Sequence, residues 1–248
     1  MIILSILFFI TAILYSSVGF GGGSTYLALL LIWDIPYFIF PIIALLCNII
    51  VVSGNSFNYI RAGNHNFKLL LPFLIGSVPL AFLGGTLKIE KDIFEILLFF
   101  VLAIAGFLLL INNKSYENNN SIIKRLSFII SLIIGSVLGL ISGIVGIGGG
   151  IFLSPILFLL KAEKPKIIVT TASLFILINS ISGILGQLTK ENILTELSNY
   201  IPLFICVFIG GLLGNYLNLK IFTSRVLAII TSLLVIFVSI RMGIKIFF

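Results

Sequence analysis

The segment Gly143-Ile-Val-Gly-Ile-Gly-Gly-Gly-Ile-Phe-Leu-Ser-Pro155 interrupts a charge-free stretch that runs from residue 126 to residue 160. A membrane-spanning helix needs about 20 apolar residues, so this stretch is too long for one straight span. Consecutive glycines such as Gly148–Gly150 each destabilise a helix by about 1 kcal/mol relative to alanine. The stretch therefore predicts a full helix, a glycine break and a second, short helix that begins near Ile151.

A second glycine break lies in the first half of the chain. Gly19-Phe-Gly-Gly-Gly23 interrupts the charge-free stretch 1–33, and the short helix after it is expected to begin at Ser24. A shift of 127 residues aligns this break with Gly146–Gly150, and shifts of 129 and 130 align later pairs in the same order. These pairs are Pro36 with Pro165, Ser53-Gly54 with Ser182-Gly183, Pro72 with Pro202, Gly84 with Gly214 and Leu87 with Leu217. The order of the matches predicts that the two halves are repeats of one duplicated unit.

The other charge-free stretches each fit one crossing. They are 35–60, 69–87, 96–113, 167–189, 197–219 and 226–240. The sequence thus predicts an all-α polytopic membrane protein of two homologous repeats, each with about four transmembrane helices and a glycine-broken short helix. The first repeat covers residues 1–111 and the second 122–248, and a polar linker, 112–121, joins them into one transmembrane transport domain.

Charged residues are scarce in this chain of 248 residues. They make up 9% of it against 60% hydrophobic residues, whereas a soluble domain carries about 25% charged residues. This composition excludes a soluble enzyme, and the lack of a dense basic stripe argues against nucleic-acid binding. The predicted surroundings are a lipid bilayer, that of the cell membrane, and the sequence leaves open whether the protein is a homo-oligomer.

The 15 basic residues predict an orientation. If each short helix counts as a change of side, ten basic residues gather on one face and five on the other, and the positive-inside rule assigns the ten to the cytoplasm. If the short helices fold back without crossing, the division is eight against seven. The uneven division favours ten helical segments that each change side, with both termini outside. Because each repeat then has an odd number of segments, five, the two repeats are inverted, as in many secondary transporters.

No acidic residue lies deep within a predicted span. The eight carboxylates are Asp34, Glu90, Asp92, Glu95, Glu117, Glu163, Glu191 and Glu196, and His65 is the single histidine. Carboxylate proton relays, divalent-cation cages and zinc or haem sites need such residues inside the protein. The sequence therefore predicts no catalytic residue, no metal site and no cofactor.

Backbone and neutral polar side chains are left to bind a substrate. The first amides of a helix that follows a break carry a partial positive charge and bind anions without a basic side chain. Two opposed breaks would face one pocket near the membrane midplane. The predicted substrate-binding residues are Gly21, Gly22, Gly23, Ser24, Gly148, Gly149, Gly150, Ser53, Asn179 and Ser182.

Other small and polar residues have a structural interpretation as well. Glycines four residues apart allow close helix packing, and this role is predicted for Gly135, Gly139, Gly143, Gly210 and Gly214. Asn48, which lies on the same predicted helix as Ser53, is equally compatible with an interhelical hydrogen bond and with substrate contact.

Four segments resemble one family of membrane permeases. Gly143–Pro155 is similar to the hallmark segment of the TauE/SafE sulfite exporter family, and Ser17–Ser24 is a similar copy in the first half. Thr170–Gly183 resembles the family's Thr-Ser-Leu…Asn-Ser…Gly helix. Tyr59–Asn64 resembles its Arg-Arg-Gly-Asn loop, with Ala62 in place of one arginine. The resemblance implies transport of small sulfur-containing anions such as sulfite, sulfoacetate or related organosulfonates.

The sequence as a whole predicts a secondary permease or exporter for a small anion of this kind, working by alternating access at a midplane site. Two alternatives stay open at this point. One is a transporter for a different small solute, such as a metal cation or a carboxylate. The other is a non-transporting membrane protein that assembles or anchors a partner.

Overall fold

The computed structural model describes residues 1–17, 19–33, 35–111, 126–190 and 196–217, together with 229, 232–233, 235–237, 239–240 and 242–244. Within these residues the regular secondary structure is helical. The predicted linker 112–121 lies outside the described residues, and so do Asp34, Glu117 and Glu191 among the carboxylates.

Nine helices are assigned within the described ranges up to residue 217. They are α1 (Ile2–Ser16), α2 (Gly23–Ile32), α3 (Phe40–Arg61), α4 (Phe67–Thr86), α5 (Lys91–Ile111), α6 (Phe128–Val145), α7 (Gly150–Leu159), α8 (Pro165–Gln187) and α9 (Ile201–Leu217). Short 3₁₀ turns, Tyr37–Ile39 and Ser198–Tyr200, precede α3 and α9. The two predicted short helices are thus present as α2 and α7, each of ten residues and each beginning one residue before its predicted start.

Five of the described helical segments are long and apolar enough to cross a membrane. They are Tyr37–Arg61, Phe67–Thr86, Phe128–Val145, Pro165–Gln187 and Ser198–Tyr216. The segments that contain α3 and α8 are 61% and 78% buried, whereas the other three are between 28% and 39% buried. The protein is therefore a multi-pass membrane protein in which α3 and α8 are the central helices and the other long helices face outward.

The widely spaced glycines of α6 pack directly against α4, as predicted. A Cβ atom at any of them would collide with a backbone atom of α4. The facing pairs are Gly135 with Phe73, Gly139 with Ser77 and Gly143 with Ala81. Residue numbers rise together in these pairs, so α4 and α6 run in the same direction.

The glycines of α9 pack against α1 in the same way. Gly210 faces the carbonyl of Phe9 and Gly214 that of Ile13, which confirms their predicted packing role and makes α1 and α9 parallel. The hydroxyl of Ser16 strengthens this contact by donating a hydrogen bond of 2.8 Å to the carbonyl of Gly211.

The central helices run in opposite directions. Ser56 of α3 and Ser173 of α8 share a hydrogen bond of 3.0 Å between their hydroxyls, whereas Leu45, near the start of α3, lies beside Gly183, near the end of α8. These contacts make α3 and α8 antiparallel.

Each central helix also has a parallel neighbour from the other half. Ser182 of α8 donates a hydrogen bond of 2.6 Å to the carbonyl of Val78 in α4, and Gly186 faces the carbonyl of Phe82 one turn later. Gly211 of α9 lies near Val51 of α3, and Asn215 lies near Gly54. Hence α1, α3 and α9 run one way, and α4, α6 and α8 run the other way.

We expect replacement of Gly139 by leucine to destabilise the protein, because the new side chain has no space against the backbone of Ser77. Overpacking of this kind costs about 1–3 kcal/mol, which should appear as a lower thermal unfolding temperature in detergent. Val137→Leu is the matched control, since Val137 lies on the same helix and is 53% exposed. Equal unfolding temperatures for the two variants would contradict the close α4–α6 packing.

Candidate functional site

The two glycine breaks have the same backbone conformation. Gly19 and Gly146, equivalent in the two halves, have φ angles of +85° and +90°, and Gly22 and Gly149 have φ angles of +83° and +74°. Glycine adopts this left-handed region without the steric penalty that a side chain incurs. Gly22 and Gly149 are also the N-cap residues of α2 and α7, so these glycines set where and in which direction each short helix begins.

The backbones of the two breaks lie against each other. A Cβ atom on Gly23 would lie only 2.6 Å from the carbonyl oxygen of Ile147. From this contact α2 leads to the start of α3, and α7 leads to the start of α8. Because α3 and α8 are antiparallel, α2 and α7 extend in opposite directions with their N-termini facing each other. We call this contact region, made of residues 19–24 and 146–151, the junction.

Asn48 of α3 lies at the centre of the junction. Its side chain is fully buried, and its Nδ2 donates a hydrogen bond of 3.1 Å to the carbonyl of Ile147. Cβ atoms on Gly23 and Gly148 would lie 2.8 and 2.7 Å from the same Nδ2. Asn48 is also one residue from the middle of the segment Tyr37–Arg61. The junction is therefore held together by an asparagine half-way along a central helix.

Two buried serine hydroxyls at the junction have no hydrogen-bond partner among the described residues. They belong to Ser24, in the first turn of α2, and to Ser180 of α8. The Oγ atom of Ser180 lies 3.2 Å from the position of a Cβ atom on Gly148. A buried polar group without a partner is costly, and a bound ligand would satisfy these two donors.

The first amides of the two short helices lack acceptors within their own helices. The series of helical hydrogen bonds in α2, counted by the N–H groups that donate them, begins with Thr25 and Tyr26. Both of these donate to the carbonyl of Gly22. In α7 the series begins with Phe152 and Leu153, both of which donate to Gly149. Each series is preceded by two further N–H groups, which belong to Gly23 and Ser24 in α2 and to Gly150 and Ile151 in α7. The junction thus combines peptide N–H donors, hydroxyls and the positive ends of two helix dipoles.

The other three predicted side chains, Ser53, Asn179 and Ser182, lie on the central helices α3 and α8. Ser53 is exposed, and its hydroxyl donates to the carbonyl of Ile49 in its own helix. Ser182 bonds to α4. Asn179 is fully buried, and its Nδ2 donates to Phe175 in its own helix, while its Oδ1 has no partner among the described residues.

The predicted breaks Gly21–Gly23 and Gly148–Gly150 and the predicted Ser24 do come together. Asn48 and Ser180 complete the group, and neither was among the predicted site residues. The sequence indicates Asn48 as either a hydrogen-bonding residue between elements or a substrate contact, and the structure gives it a hydrogen bond to Ile147. Nothing in the sequence singles out Ser180.

Acidic side chains of the described residues lie at helix ends and in loops. They are Glu90, Asp92, Glu95, Glu163 and Glu196. Within the described part of the chain, no three His, Cys, Asp or Glu side chains lie close enough together to hold a metal ion. The ligands that the junction offers are therefore uncharged.

A cavity of about 380 Å³ lies apart from the junction. It is lined by the end of α2, the 3₁₀ turn before α3 and the start of α5, and the ion pair between Lys91 and Glu95, at 3.9 Å, forms part of its wall. None of the predicted site residues lines this cavity.

Comparison with known proteins finds similar sequences over nearly the whole chain. The sequence profile of the family described as sulfite exporter TauE/SafE matches residues 4–242. The "Probable membrane transporter protein y4hK" of Sinorhizobium fredii (strain NBRC 101917 / NGR234) is 25% identical over 242 residues, which cover 93% of each chain. The "Probable membrane transporter protein YunE" of Bacillus subtilis (strain 168) is 24% identical over 263 residues, covering 95% of this chain and 94% of the relative. No solved structure matches the chain significantly.

Proposed function

Because the chain belongs to the sulfite exporter TauE/SafE family, and is thus a membrane transporter and not an enzyme, we propose that it is a secondary permease for a small anion. The proposed substrates are sulfite, sulfoacetate and related organosulfur anions. The observation that carries this proposal is the meeting of two opposed helix N-termini at Asn48, half-way along a central helix.

The chemistry of the junction favours an oxyanion. Several donors converge there, namely the first N–H groups of α2 and α7, the hydroxyls of Ser24 and Ser180, and the Nδ2 atom of Asn48. Helix N-termini bind sulfate-like and phosphate-like groups through such amides. Gly21, Gly22, Gly148 and Gly149 would hold the amides in place, since any side chain there would meet Asn48, Tyr15 or Phe175.

We further propose that the two halves are inverted repeats. Three pairs of equivalent helices support this, namely α1 with α6, α3 with α8 and α4 with α9, because the members of each pair run in opposite directions. The packing between the halves supports it as well. The first helix of each half packs on the fourth helix of the other half, α1 on α9 and α6 on α4. Inverted repeats of this kind commonly hold their substrate at the interface between the repeats.

The contact between the breaks supports transport by alternating access. In this conformation Gly23 touches Ile147, so an anion would bind after the two breaks separate. Rocking of one half against the other would open the junction first to one side and then to the other. Transport is then expected to require that the Asn48–Ile147 hydrogen bond breaks and reforms in each cycle.

A cation remains the second candidate, because the junction also holds two acceptors. The Oδ1 atom of Asn48 has no partner among the described residues, and the carbonyl of Ile147 lies beside it. Divalent cations are usually held by about six oxygen ligands, several of them carboxylates, and the described acidic residues lie at helix ends and in loops. The balance of donors and acceptors favours the anion.

Radiotracer uptake into proteoliposomes tests the proposal. Purified protein should take up labelled sulfite or sulfoacetate, and an excess of unlabelled organosulfonate should compete, whereas sodium, divalent metal ions and simple carboxylates should not. Saturable uptake of a metal ion that no anion inhibits would contradict the anion proposal. Sealed liposomes without uptake of any of these solutes would favour a role as an assembly partner.

A further inference from the structure

A hydrogen-bonded chain links the end of α8 to the end of α6. Gln187 is fully buried, and its Nε2 donates a hydrogen bond of 2.8 Å to the carbonyl of Gly143. Its Oε1 accepts a hydrogen bond of 2.9 Å from the Nζ atom of Lys190. Lys190 is thereby held in place three residues beyond the end of α8. Within the described part of the chain, Gln187 is its hydrogen-bond partner, which leaves two of its three N–H donors for another group.

A second lysine lies beside this chain. The ends of α4 and α8 are in close contact, since a Cβ atom on Gly85 would lie 2.9 Å from the Cα atom of Gly186. Lys88 and Lys190 follow these contacts by three and four residues. Burial, with a smaller contribution from the charge of Lys88, lowers the pKa of Lys190 to about 8. Two cations that follow adjoining helix ends form a place where an anion is stabilised.

The surrounding elements add few other charges. α6 carries no charged residue. After Lys88 the described charged residues are Glu90 and, at the start of α5, Lys91, Asp92 and Glu95, of which Lys91 and Glu95 form an ion pair of 3.9 Å. Glu191, next to Lys190, lies outside the described residues. Lys88 is therefore the described charged group that acts on Lys190.

One face of α8 connects Lys190 to the junction. Moving inward, Gln187 is followed by Gly183, which lies beside Leu45 and Gly143, and then by Ser180, which lies beside Gly148. Residues three or four apart share one face of a helix. The lysine thus stands at the outer end of a row of small and polar residues that ends at the proposed binding site.

We propose that Lys190 and Lys88 form an anion-collecting site where α4 and α8 end. The ligand is a small oxyanion, which would bind there before it moves along α8 to the junction. This inference rests on the proposed transport function, which it extends by assigning the residues that capture the substrate.

The site predicts a pH dependence of capture. Below about pH 8 Lys190 is protonated and binds the anion, and above this pH the charge is lost, so the affinity falls as the pH on that side rises. Sulfoacetate is a suitable substrate, because its charge stays constant between about pH 6.5 and about pH 9.5. In the wild type we expect its KM to rise about tenfold over this range with kcat unchanged, as for loss of one charge-assisted hydrogen bond.

Three variants separate this role from a structural one. Lys190→Gln should have the high KM at every pH, and Lys190→Arg should keep the low KM up to about pH 9.5, because arginine stays charged. Lys91→Gln is the matched control, since it removes one exposed positive charge from the same end of the protein and should leave KM unchanged. A Lys190→Gln variant with the wild-type KM and pH profile, or with a lower kcat alone, would overturn the proposal.

A readout without transport separates this site from the permease function. We would measure by mass spectrometry the rate at which Lys190 is reductively methylated in detergent at about pH 8, with and without sulfoacetate. The anion should slow the modification of Lys190 but not that of Lys91. Unchanged modification of Lys190 overturns the collecting site even if transport occurs. Protection of Lys190 in a protein that transports no anion upholds the site and overturns the permease function.

Discussion

Replacing Gly149 with valine is expected to reduce anion transport by about 100-fold, the loss that follows a displacement of about 1 Å in a binding site. Gly149 has a φ angle of +74°, which a β-branched residue rarely adopts. A Cβ atom there would also lie 2.8 Å from the Cε1 atom of Phe175. The start of α7 would have to shift, and its first amides would no longer point at the junction. Uptake of labelled sulfoacetate into proteoliposomes measures the effect.

Three further substitutions complete the test: one controls for backbone strain, one changes the equivalent cap of α2, and one guards against misfolding. Gly63→Ala places a side chain at a φ angle of +72° with no atom within 4 Å, so it adds strain in a loop and should leave uptake unchanged. Gly22→Val, at the equivalent cap of α2, should be as harmful as Gly149→Val if both helices serve one site. If Gly149→Val is too unstable to purify, Gly149→Asn tests the same position, because asparagine tolerates a positive φ angle better. Wild-type uptake by a folded Gly149 variant would contradict the role of the break.

Replacing Asn48 with aspartate is expected to reduce anion transport by about 100-fold or more. Two like charges about 4 Å apart repel by about 4 kcal/mol at an effective dielectric constant of about 20, and this corresponds to a loss of about 1000-fold in affinity. A buried carboxyl group is neutral more often than an exposed one, so the loss should deepen as the pH rises. Flux of a strong-acid anion at several pH values measures the effect.

A charge-matched control distinguishes site repulsion from a change in net charge. Asn64→Asp introduces the same group at a half-buried position in the loop after α3 and should leave flux within about twofold, since a charge far from the junction is screened. Faster uptake of a cation by the Asn48→Asp variant would also fit the proposed site, whereas undiminished anion uptake would exclude Asn48 from the binding region.

The sequence predicted well what depends on the backbone. Consecutive glycines cannot continue a membrane helix at low cost, so the breaks and the short helices α2 and α7 followed from composition and spacing. The packing of Gly139 and Gly214 also followed, because small residues four apart lie on one face wherever the helix sits. These inferences need no knowledge of how a helix is rotated about its axis.

The side chains of the site could be predicted only in part, because that rotation is set by tertiary packing. Ser53 and Ser182 match across the repeats and lie on equivalent faces of α3 and α8. Ser53 is exposed and bonds within its own helix, and Ser182 bonds to α4. Asn48 lies five residues before Ser53 and hence on a different face of α3. The helix α8 is buried over most of its surface, so its hydrophobic pattern could not single out Ser180.

The central claim is that the anion binds at the junction, and protection of a cysteine placed there tests it most directly. We would introduce Ser24→Cys after replacing Cys47 and Cys206 with alanine, and measure the rate of alkylation by N-ethylmaleimide with and without sulfoacetate. The account predicts that sulfoacetate slows the alkylation at position 24, with half-protection at the concentration that half-saturates transport. An alkylation rate that sulfoacetate leaves unchanged, in a protein that still transports it, would contradict the account.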